Sequence, residues 1–577
     1  MARKRIFALF VGLLTLLCFL PADALTTESP AGPSDILIIA GTVSNAQGKP
    51  VKEVEIAVYV DGKEIHLEEE VSTSKAGRYE AELKLPLSTL PGGKVEIEAR
   101  KPSYKSSGRI MLDTVVKEKE DGEGNVYYLS HSSFVLKRAI TPGFWIATLV
   151  LVIVYALIAL ELMHRTLAAL LGAALLMTIS YTAGTFNKEY MILTFEDAMQ
   201  AIDMNVIFLL MAMMIIVGVL KRTGVFQWMA YKSYQLARGN VFALAGILMV
   251  VTAVSSAFLD NVTTMLLIIP VTIEIALTLK INPITLLMPE VFASNVGGTA
   301  TLIGDPPNIM IGSYAKLSFV DFVQNLTVIC LICLVVTMVY FLYWYKKGYM
   351  KAQVGDVQKM IAHLRDEYQI TDKGLLIKGG IVLGVTVFLF MIHGVLHMEP
   401  SIAALIGASV LLVLSRVDIV EMLEHEIEWP TLVFFMMLFI VVAGAEETGL
   451  IQMIADWVND MSRGSLVTAI LMILWVAAIA SAIIDNIPFT ATMLPIVAYL
   501  TTAIPGAQGG ILWWALALGA CLGGNGTMIG ASANVVTVGM AERAGHHIPF
   551  MAYMKVAAIP TVITIILCSF WLLLVEM

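Results

Sequence analysis

In this chain of 577 residues 58% are hydrophobic and only 14% charged, with a mean hydropathy of +0.80, whereas charged residues make up about a quarter of a soluble domain. The composition is that of a polytopic α-helical membrane protein with the lipid bilayer as its main surroundings, and the formal net charge of −9 leaves no footprint for nucleic acid. Cys18, Cys330, Cys333, Cys521 and Cys568 all sit in apolar runs, which argues against a disulfide framework or zinc site and assigns them no chemistry.

The chain starts with Arg3, Lys4 and Arg5, continues with an apolar run too short to span comfortably, and reaches the small-residue pattern Ala22-Asp23-Ala24. That order predicts a secretory signal peptide over 1–24. From 25 to 140 the character changes: "DILIIAGTVSNAQGKPVKEVEIAVYVDGKEI" alternates apolar and polar residues with period two, broken at Gly48-Lys49-Pro50 and at Asp61-Gly62. Short strands spaced by turns predict a small all-β sandwich. This stretch, with "STSKAGRYEAEL", resembles the carboxypeptidase regulatory-like module, an extracytoplasmic fold. It carries no cluster of metal-ligating side chains, so a packing or adhesion role is expected of it.

From Trp145 onward apolar segments follow one another, and the later ones mirror the earlier. A shift of 225 residues puts Asp260-Asn261 on Asp485-Asn486 and Pro270 on Pro495; a shift of 226 puts "GGTATLIGDPPN" (297–308) on "GGNGTMIGASAN" (523–534). This is an internal repeat. It divides the chain into repeat 1 over 141–346, a linker over 347–373, and repeat 2 over 374–577. In each half the segment pair around the Asp-Asn step is polar at its centre and reads as too short for two full spans, predicting a re-entrant hairpin with its first tip at 256–264. The next segment carries mid-membrane glycines and prolines, predicting a helix broken near 297–308. Two hairpins, two broken helices and five crossings per half require the repeats to be inverted. With residue 140 outside, Arg165, Lys221, Arg222, Lys232, Arg238, Lys280, Lys346, Lys347 and Lys351 fall on the cytoplasmic side, as the positive-inside rule asks. The linker is then cytoplasmic, and the N-terminal domain and C-terminus extracytoplasmic. His393, His397 and Glu399 read as solvated groups at the outer end of a segment.

A carboxylate at mid-bilayer costs about 2.5–3.5 kcal/mol on insertion scales, and irregular backbone there needs protein or a wet cavity around it. Both costs recur in both halves, so they point to a function that needs oxygen ligands. The candidate ion- or substrate-binding residues are Asp260, Asn261, Thr263, Thr299, Thr301, Asp305 and Asn308 in the first half, and Asp485, Asn486, Asn525, Thr527, Ser532 and Asn534 in the second. Sodium is expected at Asp260, Asn261, Asp485 and Asn486. Gly297, Gly298, Gly304, Gly523, Gly524, Gly526 and Gly530 would let backbone approach an ion closely. The four motifs hold no Arg or Lys, which favours a cation over a polyanion.

"SAFLDNVTTMLLIIPVTI" with "NVGGTATLIGDPPNIMIG" resembles the melanosomal P protein and its bacterial relatives, within the ion transporter superfamily that includes arsenite permeases, NhaD-type sodium/proton antiporters and citrate and dicarboxylate carriers. The resemblance covers 145–577. It implies an inverted-repeat scaffold with two hairpins, commonly a homodimer in which a transport domain moves against a fixed one. Carboxylate carriers of this superfamily show Ser-Asn-Thr signatures at the tips; here the tips read Asp-Asn-Val-Thr and Asp-Asn-Ile-Pro, closer to the antiporter-like members. The expectation is a secondary transporter, not an enzyme, driven by Na⁺ or H⁺ as coupling ion and needing no cofactor, with Na⁺/H⁺ antiport foremost. The alternatives are a Na⁺-coupled carboxylate or oxyanion carrier and, in a different class, an ion channel. No G-x-x-x-x-G-K-[ST] stretch that would cradle ATP phosphates occurs.

Overall fold

The computed structural model describes residues 34–576 apart from 46–49, 52–53, 66–70, 75, 87–94, 102–103, 113–115, 121–125 and 354–356; the signal peptide expected over 1–24 lies outside the described residues. The chain divides into two compact units, one up to Ala139 and one from Ile140.

The first unit follows the period-two pattern of its sequence. In β5 (Val95–Arg100) Val95, Ile97 and Ala99 are buried while Glu96, Glu98 and Arg100 are only half-buried. Asp61 and Gly62 both take positive φ, 51° and 80°, as a two-residue type I′ turn between β2 (Glu55–Val60) and β3 (Lys63–Ile65) requires. With β1 (Ser34–Asn45), β4 (Arg78–Pro86), β6 (Tyr104–Lys105), β7 (Ile110–Met111), β8 (Val116–Glu120) and β9 (Val126–Arg138), one sheet has the order β4-β1-β9-β6 with β8 also on β9, and the other the order β3-β2-β5-β7. Strand β1 runs parallel to β9, from Asp35 opposite Val126 to Asn45 opposite Leu136. Leu37, Ile39, Phe134 and Leu136 from one sheet and Ile56, Val58, Ile97 and Ala99 from the other share one core. The unit is therefore a β-sandwich.

The second unit is helical, and among the described residues ten helices are long and apolar enough to cross a membrane. Leaving short connecting pieces unlabelled, its first part holds α1 (Pro142–Ala159), α2 (Arg165–Tyr181), α3 (Met204–Lys221), α4 (Val225–Ala237), α5 (Val241–Phe258), α6 (Asn261–Thr278), α7 (Ile284–Thr299), α8 (Pro306–Ala315) and α9 (Phe319–Trp344). The second part holds α10 (Lys373–Ile392), α11 (Pro400–Ser415), α12 (Trp429–Glu447), α13 (Leu450–Ser462), α14 (Leu466–Ile483), α15 (Asn486–Ala503), α16 (Ile511–Gly523), α17 (Ser532–Arg543) and α18 (Phe550–Glu576). The two sets run in the same order, and the repeat reaches the backbone itself. Helix α4 follows Gly224 at φ 73° and ends on Arg238 at φ 50°; α13 follows Gly449 at φ 89° and ends on Arg463 at φ 52°. Both have 13 residues.

The stretches around the two Asp-Asn steps differ from expectation. Each forms two arms of 18 residues, and among the four arms α5, α6 and α14 meet the length and apolarity of a span. The polar centre occupies only the two-residue links Leu259-Asp260 and Ile484-Asp485, so it shortens neither arm. The helix break is also narrower than the expected 297–308. Residues up to Thr299 and from Pro306 are still helical, leaving 300–305 as the irregular part. In the second part a 3₁₀ turn, Gly524–Gly526, precedes the gap to Ser532. His393 is 8% exposed rather than solvated: its Nδ1 lies 2.9 Å from the Met398 carbonyl and its Nε2 accepts from Phe319 N, so the ring closes the start of α9.

Large apolar side chains such as Val152, Leu171, Val339, Ile381, Ile479 and Phe570 stand exposed on this unit. In water they would be a liability; against lipid tails they carry no penalty.

Phe134 is 2% exposed in the sandwich core, with its ring centroid 6.2 Å from that of Tyr79. Phe134→Ala should destabilise that unit by about 3–5 kcal/mol. Limited proteolysis across a urea series should show cleavage within 34–138 moving to lower urea while cleavage within 140–577 keeps its midpoint.

Candidate functional site

Each hairpin tip ends in an aspartate that starts the next helix. Asp260 is extended and caps α6: its Oδ1 accepts from Val262 N at 2.9 Å and Thr263 N at 3.0 Å, and its Oδ2 accepts from the Thr263 hydroxyl. A carboxylate at a helix N-terminus meets free N–H groups and the positive end of the dipole. Asp485 caps α15 with less help. It accepts from Ile487 N at 3.2 Å, but the place of Thr263 is taken by Pro488, which has neither an N–H nor a hydroxyl. Its Oδ2 instead meets Arg165 Nη1 at 3.2 Å and the Ser532 hydroxyl at 3.3 Å. Arg165 begins α2; it also donates to Ser532 Oγ at 2.8 Å and Thr431 Oγ1 at 3.3 Å, and its guanidinium lies 5.3 Å from the Phe434 ring centre.

The helix breaks leave buried backbone carbonyls without their intrahelical partners. Two repeat-related asparagines satisfy them. The Asn308 amide donates to the carbonyls of Thr299 at 3.0 Å and Thr301 at 2.8 Å; that of Asn534 donates to Gly524 and Thr527, both at 2.9 Å. The Thr301 hydroxyl donates to the Ala257 carbonyl and that of Thr527 to the Ala482 carbonyl, tying each break to the hairpin of its own half. The Thr299 hydroxyl returns to its own helix at the Asn295 carbonyl, 2.7 Å away.

The halves are joined across the middle. Asn295 of α7 accepts from the Asn261 amide at 3.1 Å and donates to Asn525 Oδ1 at 2.9 Å and Asn534 Oδ1 at 3.0 Å. The repeat places Cys521 of α16 where Asn295 stands, and its thiol donates to Asn308 Oδ1 at 3.5 Å. The same position in each half therefore reaches the same asparagine of the other.

Asp305, at the end of the first break, is 1% exposed. Its Oδ1 accepts from the Asn486 amide at 3.5 Å, while its Oδ2 is buried without a hydrogen-bond partner. A cavity of about 50 Å³ lies here, lined among others by Asp260, Asn261, Asp305, Asn486, Arg165 and Glu428. It is large enough for a dehydrated ion or a water or two. The N-termini of α6, α8, α15 and α17 all contribute to its wall through Asn261, Pro306, Asn486 and Ser532. A vestibule of about 660 Å³ shares Arg165, Glu428, Thr431 and Ser532 with it and adds His164, Glu161 and Asp485.

Of the sequence-predicted residues, then, Asp260, Asn261, Asp305, Asn486 and Ser532 line the cavity and Asp485 the vestibule. Thr263 holds Asp260; Thr299, Thr301, Asn308, Thr527 and Asn534 spend their hydrogen bonds on the scaffold; and Asn525 accepts from Asn295 while its own amide nitrogen is buried without a partner. The glycines serve close packing of backbone on backbone. A Cβ on Gly298 would lie 2.6 Å from the Gly304 carbonyl, one on Gly304 2.6 Å from those of Gly298 and Ser256, and one on Gly530 2.6 Å from that of Gly524 and 2.7 Å from that of Ser481. Gly297 and Gly523 meet Ala253 and Ala478, Gly524 meets Gly530, and Gly526 faces Ala482. Sequence reasoning missed Arg165, Asn295, Cys521, Glu428 and Thr431. Asn295 had a signal, a polar residue inside an apolar run two positions before Gly297; Arg165 had none nearby.

A family model described as "Citrate transporter" matches residues 155–519 of this chain. An uncharacterized transporter of Mycobacterium bovis is 42% identical over 432 residues, which is 74% of this chain and 97% of that protein. The 46 kDa membrane protein of Mycobacterium leprae is 41% identical over 430 residues, again 74% of this chain and 97% of that protein. The human P protein is 34% identical over 497 residues, 73% of this chain and 58% of its own length.

Gly304→Ala should lower the melting point of the purified protein, at a cost of about 1–3 kcal/mol for forcing a methyl against two carbonyls. Gly539 of α17 has open space around its Cβ position, so Gly539→Ala should leave the melting point unchanged or raise it. Thermal melts of the two variants in detergent would separate these effects.

Proposed function

This chain belongs to the citrate transporter family, and we propose that it is an ion-coupled secondary transporter whose ion site is the cavity between the two tips and the two breaks. The observation that carries this reading is the Asp305 carboxylate, enclosed beside Asp260 and with one oxygen unpartnered. An ionised, unpaired carboxylate oxygen in such surroundings costs several kcal/mol, and a bound Na⁺ or a proton removes that cost. The cavity suits a small ion. Because one carboxylate set takes either Na⁺ or H⁺, each displaces the other, and antiport follows from exclusive occupancy. On this reading the two nine-helix parts are inverted repeats, the hairpins are re-entrant, and the site opens alternately to the two sides. Residues 25–140 and the C-terminus are then extracytoplasmic, the linker 347–373 cytoplasmic, and the working unit a homodimer.

A second reading has its own support. Arg165 and four helix N-termini beside a vestibule of about 660 Å³ are suited to an oxyanion or carboxylate, and the family's description names citrate. In that case the cavity holds the coupling cation and the vestibule the anion.

The test is purified protein in liposomes loaded with a pH-sensitive dye. External Na⁺ should make an acid interior more alkaline, and Asp305→Asn and Asp260→Asn should each reduce the rate at least tenfold while inserting normally. Citrate-dependent Na⁺ uptake without proton exchange would favour the second reading, and normal exchange in both variants would contradict the site assignment. Topology is checked separately: Lys351→Cys should react with an impermeant maleimide from the cytoplasmic side alone.

A further inference from the structure

The two tips are related by the repeat, yet they satisfy their aspartates differently. Asp260 draws a second N–H and a hydroxyl from Thr263 in its own helix. At Asp485 the corresponding residue is Pro488, so both donors are missing. The carboxylate is 12% exposed and would hold its charge with one backbone N–H and one serine hydroxyl. A guanidinium from α2, more than three hundred positions earlier in the chain, fills that gap with a 3.2 Å ion pair. The guanidinium is itself 25% exposed and lines both the cavity and the vestibule. It has room to withdraw toward His164 and Glu161 on the vestibule side; its remaining direct contacts, the hydroxyls of Ser532 and Thr431 and the face of Phe434, are neutral, and the Glu428 carboxylate, within electrostatic reach and on the wall of both spaces, would hold its charge once it leaves Asp485.

From this asymmetry we infer that Arg165 is a tethered substitute for the transported cation at Asp485. The inference rests on the cavity being the ion site. When no ion is loaded, the guanidinium neutralises Asp485, so that carboxylate is not left bare in a low-dielectric wall. A cation that takes Asp485 as a ligand must first displace the guanidinium toward the vestibule, because one carboxylate oxygen cannot pair fully with both. Arg165 thereby sets how much cation is needed to load the site. Among the described residues Asp260 and Asp305 form no ion pair with a lysine or arginine, and they set the remaining part of the affinity.

The experiment is a sodium titration of thermal stability with the full-length protein in detergent, since a ligand that binds the folded state raises its melting point in proportion to occupancy. Arg165→Gln removes the rival charge while keeping a hydrogen-bonding amide, and should move the sodium midpoint at least tenfold lower, even where the sodium-free protein melts earlier. Arg165→Lys keeps a tethered cation and should hold the midpoint within about threefold of wild type. A residue that merely props the fold would lower the sodium-free melting point without a downward shift in the midpoint. An unchanged or raised midpoint in Arg165→Gln, with sodium still stabilising wild type, would overturn the assignment of Arg165 alone. No sodium stabilisation of wild type, with none in Asp305→Asn either, would overturn this inference together with the ion-site reading on which it rests.

Discussion

The arrangement depends on satisfying backbone carbonyls where two helices stop inside an apolar wall. Breaking a helix at 300–305 and again after Gly526 exposes carbonyls that must find donors within the protein, because the bilayer offers none. Asn308 and Asn534 supply those donors. Their side-chain oxygens are then free to accept from the other half, from Cys521 and Asn295 respectively. One residue type in one repeated position thus closes its own break and fastens it to the opposite repeat. The glycines allow this by bringing each break within carbonyl distance of its hairpin.

Once the scaffold has taken its share of polar groups, a few remain at the cavity. Asp305 Oδ2 has no partner, Asn261 and Asn486 line the cavity while their amides donate to Asn295 and Asp305, and Arg165 holds Asp485 from outside both motifs. That division separates residues that make a site possible from residues that would touch an ion. It also explains the asymmetry between halves. Asp305 faces Ala531 across the repeat and Thr263 faces Pro488, so charge and donors are concentrated differently on the two sides of one cavity.

Much of this was legible in the sequence. The Asp-Asn tips, the paired breaks and the order of helices follow from polar residues and glycines recurring at fixed spacing in apolar runs, and the period-two stretch near the N-terminus forms the β-sandwich it suggests. The hairpin arms were harder, because Asp260 lies so near the apolar flanks that composition cannot show how little helix the polar link removes. Arg165 is hidden for a different reason. By position it is one of several basic residues after an apolar segment, and such residues usually remain in the aqueous boundary; only the fold brings α2 against the second tip. The absence of Arg and Lys from the motifs therefore said less about the site's charge than it seemed to. Spacing shows the seven glycines, but not that neighbouring backbone, or at Gly526 the Ala482 side chain, lies against them.

The central claim is that Asp305 and its neighbours hold a cation in competition with protons. The most direct measurement is equilibrium binding of radiolabelled sodium to the purified protein over a range of pH. If one ion and one proton compete for the same carboxylates, apparent affinity should fall about tenfold for each unit the pH drops below the point where protons take over, and Asp305→Asn should abolish both the binding and its pH dependence. Sodium binding that is unaffected by pH and survives Asp305→Asn would contradict the account.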